Sequence, residues 1–231
     1  MLNAQTDEII GFEALSRLRD KNGKLLNIFE VIKVLERKGE IPQLDKHSFD
    51  ILCTYSHKIF KETNKQFSFS FNISPITLSQ EFVDFLKVTT KKHKIDPKNF
   101  VMEITETLGF KDVDMSVKLL NQIKALGFGI AMDDFGMGYS SLSYIAKLPL
   151  DVIKIDRYFV QNYNDSDFEK LIIYSILDIS KSFKLKTVVE GIKTTKQLDF
   201  VKKIGADYYQ GYIHSKAVSL GDLLKHLKEG F

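Results

Sequence analysis

FGIAMDDFGMGYSSLSYIAKLPLDVIKID, residues 128–156, is the stretch that decides the fold. Its runs FGIAM and DVIKI are apolar on both alternations, which suits strands buried on both faces. Each strand leads into charge: Asp133 with Asp134 after the first, Lys154 with Asp156 in the second. The spacing between them predicts a short helix over residues 141–147.

The same alternation runs along the chain. Strands are expected over residues 9–14, 67–72, 100–105, 129–133, 152–156, 187–190 and 208–211. Helices are expected near residues 28–38, 44–62, 80–92, 113–125, 167–184, 195–203 and 220–228, where apolar residues recur at helical spacing, as in Leu119, Leu120, Ile123 and Leu126. Strand alternating with helix points to an α/β protein with a parallel sheet. A closed barrel and an open doubly wound sheet both fit that alternation. No GxGxxG or GxxxxGK[ST] loop follows a strand, which lowers the dinucleotide and P-loop readings.

One pattern favours the barrel. Polar residues recur at the C-terminal ends of nearly every strand: Glu13, Asn72, Glu103, Asp133 with Asp134, Lys154 with Asp156, Glu190 and Gln210. Barrel enzymes build their sites from those ends, whereas an open sheet gathers ligands at one switch point. The expectation is a (β/α)8 TIM-like barrel, with seven strands legible where a closed barrel has eight.

The 231 residues allow one large domain or two small ones, and no Pro/Gly/Ser-rich linker divides them, so residues 1–231 are read as a single domain. A hydrophobic share of 44% suffices for a sizeable core. The net charge of +3, from 33 basic and 30 acidic residues, is too balanced to imply DNA or membrane binding by bulk charge. One cysteine, Cys53, excludes a disulfide framework and fits a reducing compartment. The five histidines form no HxxxH pair, which disfavours zinc. There is no signal-peptide pattern, and the longest apolar stretch, residues 171–179, is too short to span a bilayer. A cytoplasmic module is expected.

The strand-end carboxylates, converging on one mouth, repel one another unless compensated. Divalent cations are the simplest compensation, and all-oxygen ligands suit Mg²⁺ or Mn²⁺. Asp133 and Asp134 are placed to share two ions about 4 Å apart, the spacing that clamps both oxygens of a phosphodiester displacement. Lys154 is placed to hydrogen-bond an attacking water and offset developing charge. Blander readings stand beside each residue. A lone strand-end acid is usually a cap, Asp133–Asp134 can be an Asx-capped turn, Lys154 can be a surface lysine, and Glu103 and Glu106 can be exposed strand residues.

At this point the motifs resemble a known family. GFEALSR at residues 11–17, FNIS at 71–74, MEITET at 102–107, AMDDFGMGYSSLSYI at 131–145, LPLDVIKIDRYFV at 148–160, VVEGIKT at 188–194 and QGYIHSK at 210–216 resemble, in order, the motifs of EAL domains. The resemblance covers essentially the whole chain. It implies a modified (β/α)8 barrel that linearises the bacterial second messenger cyclic di-GMP to pGpG with two Mg²⁺ or Mn²⁺ ions. By that resemblance Glu13, Asn72, Glu103 and Asp133 hold the first ion, and Asp133, Asp134 and Glu190 serve the second. Lys154 assists the water, with Asp156 and Gln210 around it. Arg17 contacts a substrate phosphate and Leu15 packs near a guanine. Glu106 anchors the loop at residues 135–141. A homodimer and an upstream sensor or regulatory domain are the partners the resemblance implies.

The chain departs from the family pattern in four places. DFGTG reads DFGMG, so Met137 replaces a hydroxyl donor. EGVET reads EGIKT, so Lys193 replaces an acid, and Lys193→Glu is expected to raise Mn²⁺-dependent turnover. The family's strand before the EAL motif falls at or before residue 1, so a barrel lacking its first strand, with an exposed sheet edge, is expected. Ala217 stands where proline is usual. Three readings follow: an active phosphodiesterase, a non-hydrolytic cyclic di-GMP receptor or protein-interaction module, and a barrel enzyme for another phosphodiester.

Overall fold

The computed structural model describes residues 1–106, 113–137, 146–163 and 167–230. Eight strands, β1 (Leu2–Asn3), β2 (Gly11–Ala14), β3 (Ser68–Asn72), β4 (Phe100–Thr105), β5 (Gly129–Phe135), β6 (Val152–Ile155), β7 (Lys186–Val189) and β8 (Tyr208–Tyr209), form one sheet. Its order is β1-β8-β7-β6-β5-β4-β3-β2, and every neighbouring pair from β2 to β8 is parallel.

The strand expected to be missing is present as two residues, Leu2–Asn3. β1 pairs antiparallel with β8, Leu2 opposite Tyr209 and Asn3 opposite Tyr208. On its other side Leu2 bridges Ile9, and the Ile10 N–H donates to the Met1 carbonyl at 3.1 Å. The first residues thus turn back as a hairpin that fills the gap between β8 and β2. Two residues of strand carry no periodicity, which is why the sequence pattern shows seven.

Helices return between strands: α1 (Ile28–Lys38), α2 (Ile41–Thr63), α3 (Gln80–His93), α4 (Val113–Ala125), α5 (Arg157–Asn162), α6 (Asp167–Ser182), α7 (Thr195–Ile204) and α8 (Leu220–Glu229). Their bounds follow local chemistry. Asn27 and Ser79 cap α1 and α3 with side-chain oxygens, and Thr194 with Gln197 forms a reciprocal capping box on α7. Gly39 and Gly205 end α1 and α7 in the left-handed conformation. Residues 141–145 of the helix expected over 141–147 lie outside the described residues, and residues 146–147 are a turn. Among the described residues no helix is long and apolar enough to cross a membrane.

Alternation along the strands sorts side chains into two layers. Phe69, Phe71, Phe100, Met102, Ile104, Ile130, Met132, Ile153 and Ile155 are buried in the hydrophobic layer between sheet and helices. There Phe49 of α2 meets Phe71 at 4.7 Å and Phe100 and Phe128 at 5.8 Å each. The intervening residues point into the barrel, and at the strand ends these are Glu13, Asn72, Glu103, Asp133 and Lys154. Gly11 admits no side chain, because an added Cβ would stand 2.2 Å from the Ser68 carbonyl oxygen. Parallel strands bring all these ends to one mouth.

Candidate active site

Lys154 is the centre of the mouth. Its ammonium lies 2.7 Å from Glu103 Oε2, 2.8 Å from Glu190 Oε1, 2.9 Å from Asp133 Oδ1 and 3.7 Å from Glu13 Oε2. The lysine is 1% exposed. It comes from β6, while the carboxylates come from β2, β4, β5 and the residue after β7. Two amides brace the ring: Gln210 donates to Glu13 at 2.8 Å and to Glu190 at 3.0 Å, and Asn72 donates to Glu13 at 3.3 Å.

Four carboxylates share one ammonium, and the titration of the cluster follows from that. Burial pushes Glu103 up to about 8, with Lys154 opposing and Glu13 and Asp133 adding to the rise. Burial pushes Glu190 up to about 7 against the same lysine. Burial alone would lower Lys154, but Glu103, Glu190, Glu13 and Asp133 outweigh it and hold its pKa well above the ordinary range. The lysine therefore keeps its proton, and the surplus negative charge is relieved on the carboxylates.

Asp134 turns away from this ring. Its φ of 52° is the left-handed region that Asp tolerates. Desolvation, then Asp133 and Asp156, push its carboxyl up to about 6. Asp156 caps α5, accepting the Tyr158 N–H at 2.8 Å. Asp134 and Asp156 line a cleft of about 420 Å³ with Met137, Arg157, Tyr158 and Gln161. The last three carry no strand-end pattern and were not singled out from sequence; their signal was only their place on the first turns after Asp156.

Glu106, one residue past β4, is buried rather than exposed and stands apart from the lysine ring. It accepts the Gly136 N–H at 3.0 Å. The Met137 N–H closes a turn on the Asp134 carbonyl at 3.3 Å, and the Met137 side chain is exposed. Phe135 is buried in the core, Glu106 holds the Gly136 N–H, and the exposed Met137 is held by its backbone turn rather than by apolar packing of its side chain; residues 138–141 of that loop lie outside the described residues. Glu103, like Glu106, is buried rather than exposed. Leu15 is 47% exposed at the rim, and Arg17 is exposed with its guanidinium on the Ser16 carbonyl at 2.9 Å. Neither residue is drawn into the carboxylate ring. Lys193 is exposed, its N–H bonded to Gln197 at 2.8 Å.

The donor set fits hard divalent cations: carboxylate and amide oxygens only, with negative charge in excess. Among the described residues no three His, Cys, Asp or Glu stand at ready metal-ligating spacing. The reason is visible, since Glu103, Glu190 and Asp133 are closed on the Lys154 ammonium.

A family model described as the EAL domain matches residues 1–217. The chain is 29% identical over 222 residues to the bifunctional diguanylate cyclase/cyclic di-GMP phosphodiesterase MucR of Pseudomonas aeruginosa, covering 96% of this chain and 32% of that protein. It is 33% identical over 205 residues to the cyclic di-GMP phosphodiesterase PdeA of Borreliella burgdorferi, covering 88% of this chain and 30% of that protein. The chain thus spans about a third of the length of these relatives. A solved structure of the PaMucR phosphodiesterase with c-di-GMP matches at a TM-score of 0.90 and 28% identity, over 96% of this chain and 90% of that one. With the barrel nearly closed, the strand-end acids gathered at its mouth and the family model matched along residues 1–217, the chain belongs to the EAL domain family.

Proposed function

We propose that this chain binds cyclic di-GMP and hydrolyses one of its phosphodiester bonds to give linear pGpG, using two Mg²⁺ or Mn²⁺ ions. The observation that carries the reading is the ring of four carboxylates around the buried Lys154 at the barrel mouth. Glu13, Asn72, Glu103 and Asp133 are the residues that would hold one ion, and Asp133, Asp134 and Glu190 the other. When bound, such ions lower the pKa of water and offset phosphoryl charge.

The chain's own residues supply the rest. Lys154, opened from its carboxylates, orients the attacking water and donates an N–H hydrogen bond to the developing charge. The water oxygen bonds to phosphorus as the P–O3′ bond breaks, and the proton that the water gives up ends on the released 3′ oxygen. Gln210 keeps Glu13 and Glu190 aligned through its two short hydrogen bonds. Leu15 and Arg17 at the rim bind a base and a phosphate. Glu106 steadies the start of the loop after Asp134 through the Gly136 N–H.

A non-hydrolytic cyclic di-GMP receptor is the second reading, favoured by Met137 and Lys193, which stand where the family pattern has threonine and an acid. Incubation with cyclic di-GMP and Mn²⁺, following pGpG by chromatography, separates the two. The enzyme gives product that is lost in Glu13→Ala; the receptor gives none while calorimetry still detects binding. Neither product nor binding would sink both. A homodimer, an upstream sensor or regulatory domain and a cytoplasmic location accompany this reading.

A further inference from the structure

We propose that the first half of α2 is a positioning platform that sets two loops of the mouth separately, Asp45 holding the loop that follows Asn72 and Ser48 holding the loop of Leu15 and Arg17. Its kinetic consequences rest on the phosphodiesterase reading; its structural content does not.

Asp45 is buried on the inner face of α2, where an ionisable group is costly unless it is used. Both of its donors come from the β3–α3 loop, and both reach the same oxygen: the Ser74 N–H at 2.9 Å and the Thr77 hydroxyl. Thr77 is itself fully buried, and its N–H closes a turn on the Ser74 carbonyl at 2.9 Å. The Ser74 hydroxyl donates to Glu36 of α1 at 2.7 Å, and the Ile73 N–H donates to the Glu103 carbonyl at 3.1 Å. The loop that begins at Ile73 is therefore held by two helices and the neighbouring strand. Asn72, the last residue of β3 and the partner of Glu103 in the sheet, adjoins that hold and meets Glu13 at 3.3 Å.

Ser48 lies three residues further along, on the same helix face. Its hydroxyl meets the Ser16 hydroxyl at 3.0 Å. Ser16 sits between Leu15 and Arg17, whose side chains are exposed. One face of one helix thus touches the loop bearing a proposed ion ligand and the loop bearing the proposed substrate contacts. Asp45 and Ser48 are positioning residues, and small displacements of either loop matter because misplacement by about 1 Å costs on the order of 100-fold in rate.

The test compares Asp45→Ala, Asp45→Asn and Ser48→Ala. Asp45→Ala is expected to lower kcat by about ten- to a hundred-fold with KM nearly unchanged. Ser48→Ala is expected to raise KM several-fold and weaken cyclic di-GMP binding with kcat nearly unchanged. Asp45→Asn keeps one oxygen for both donors and is expected to restore most of kcat. Amide hydrogen exchange on the metal-free protein reads the platform without activity: residues 72–77 exchange faster in Asp45→Ala, residues 14–17 faster in Ser48→Ala. If Asp45→Ala does not fold, Thr77→Val removes one of the donors and takes its place.

Kinetic constants that move together in both variants, or exchange unchanged in the two loops, would overturn the proposal. Wild-type protein without turnover, but with the two exchange patterns, would sink the phosphodiesterase reading and uphold the platform.

Discussion

Lys154 and Asp45 show how one buried charge is kept for what it holds. Lys154 is the cation that the four carboxylates share. Removing one partner of a buried charge cluster costs about 3–5 kcal/mol. Lys154→Met is therefore expected to destabilise the chain by that order in EDTA, measured by urea unfolding, and added Mn²⁺ is expected to recover part of the loss. A deficit indifferent to Mn²⁺ would argue against ion binding in the ring. Asp45 makes a pH prediction. Burial pushes its carboxyl up to about 6 from the ordinary 3.8, against the pull of Thr77 and Ser74 and with Glu36 adding to the rise. The folded state thus binds the proton more tightly than the unfolded chain, so stability from Asp45 is full below about pH 4 and falls as pH rises through about 6. Asp45→Asn never ionises and is expected to match wild type near pH 4 and exceed it at neutral pH by up to about 3 kcal/mol. Unfolding curves at the two pH values that run parallel would contradict it. Lys154 was legible as a site residue because it interrupts an apolar strand; Asp45 was not, because one acid on an amphipathic helix looks like a solvated one.

At the scale of elements, the N-terminal hairpin is the informative piece. Its turn contains Asp7, held in the left-handed region at φ 58°. Tyr209 of β8 donates to Asp7 at 2.8 Å and meets His214 at 2.7 Å, while Lys202 of α7 bridges Asp7 at 2.6 Å. These contacts hold β1 beside β8, which two backbone pairs alone would do weakly. Tyr209→Phe is expected to cost about 1 kcal/mol and to speed amide exchange in the hairpin, read by mass spectrometry. Exchange confined to wild-type rates there would show that the backbone pairing suffices. Seven of the eight helices among the described residues and the longer strands were legible to within a few residues, because caps and periodicity are local; α5, six residues long, is too short to carry a helical period and was not expected. β1 was not, because its pairing joins Leu2 to Tyr209 across almost the whole chain.

The whole molecule is a barrel whose aromatic outer layer fixes the strand ends. Phe49 is fully buried among Phe71, Phe85, Phe100 and Phe128. Phe49→Ala is expected to cost about 3–5 kcal/mol, seen as a fall in Tm of roughly 10 °C. A shift of only a degree or two would mean that the layer repacks around the gap.

By itself the sequence determined the α/β alternation, the polar strand ends and the family, because each is written in local spacing or in short motifs met in order. The tertiary structure alone decided that residues 1–4 close the barrel, that Lys154 is shared among four carboxylates, and that α2 reaches both mouth loops. Those depend on distances between residues far apart in the chain, and no local pattern encodes which side chains a closed sheet will bring face to face.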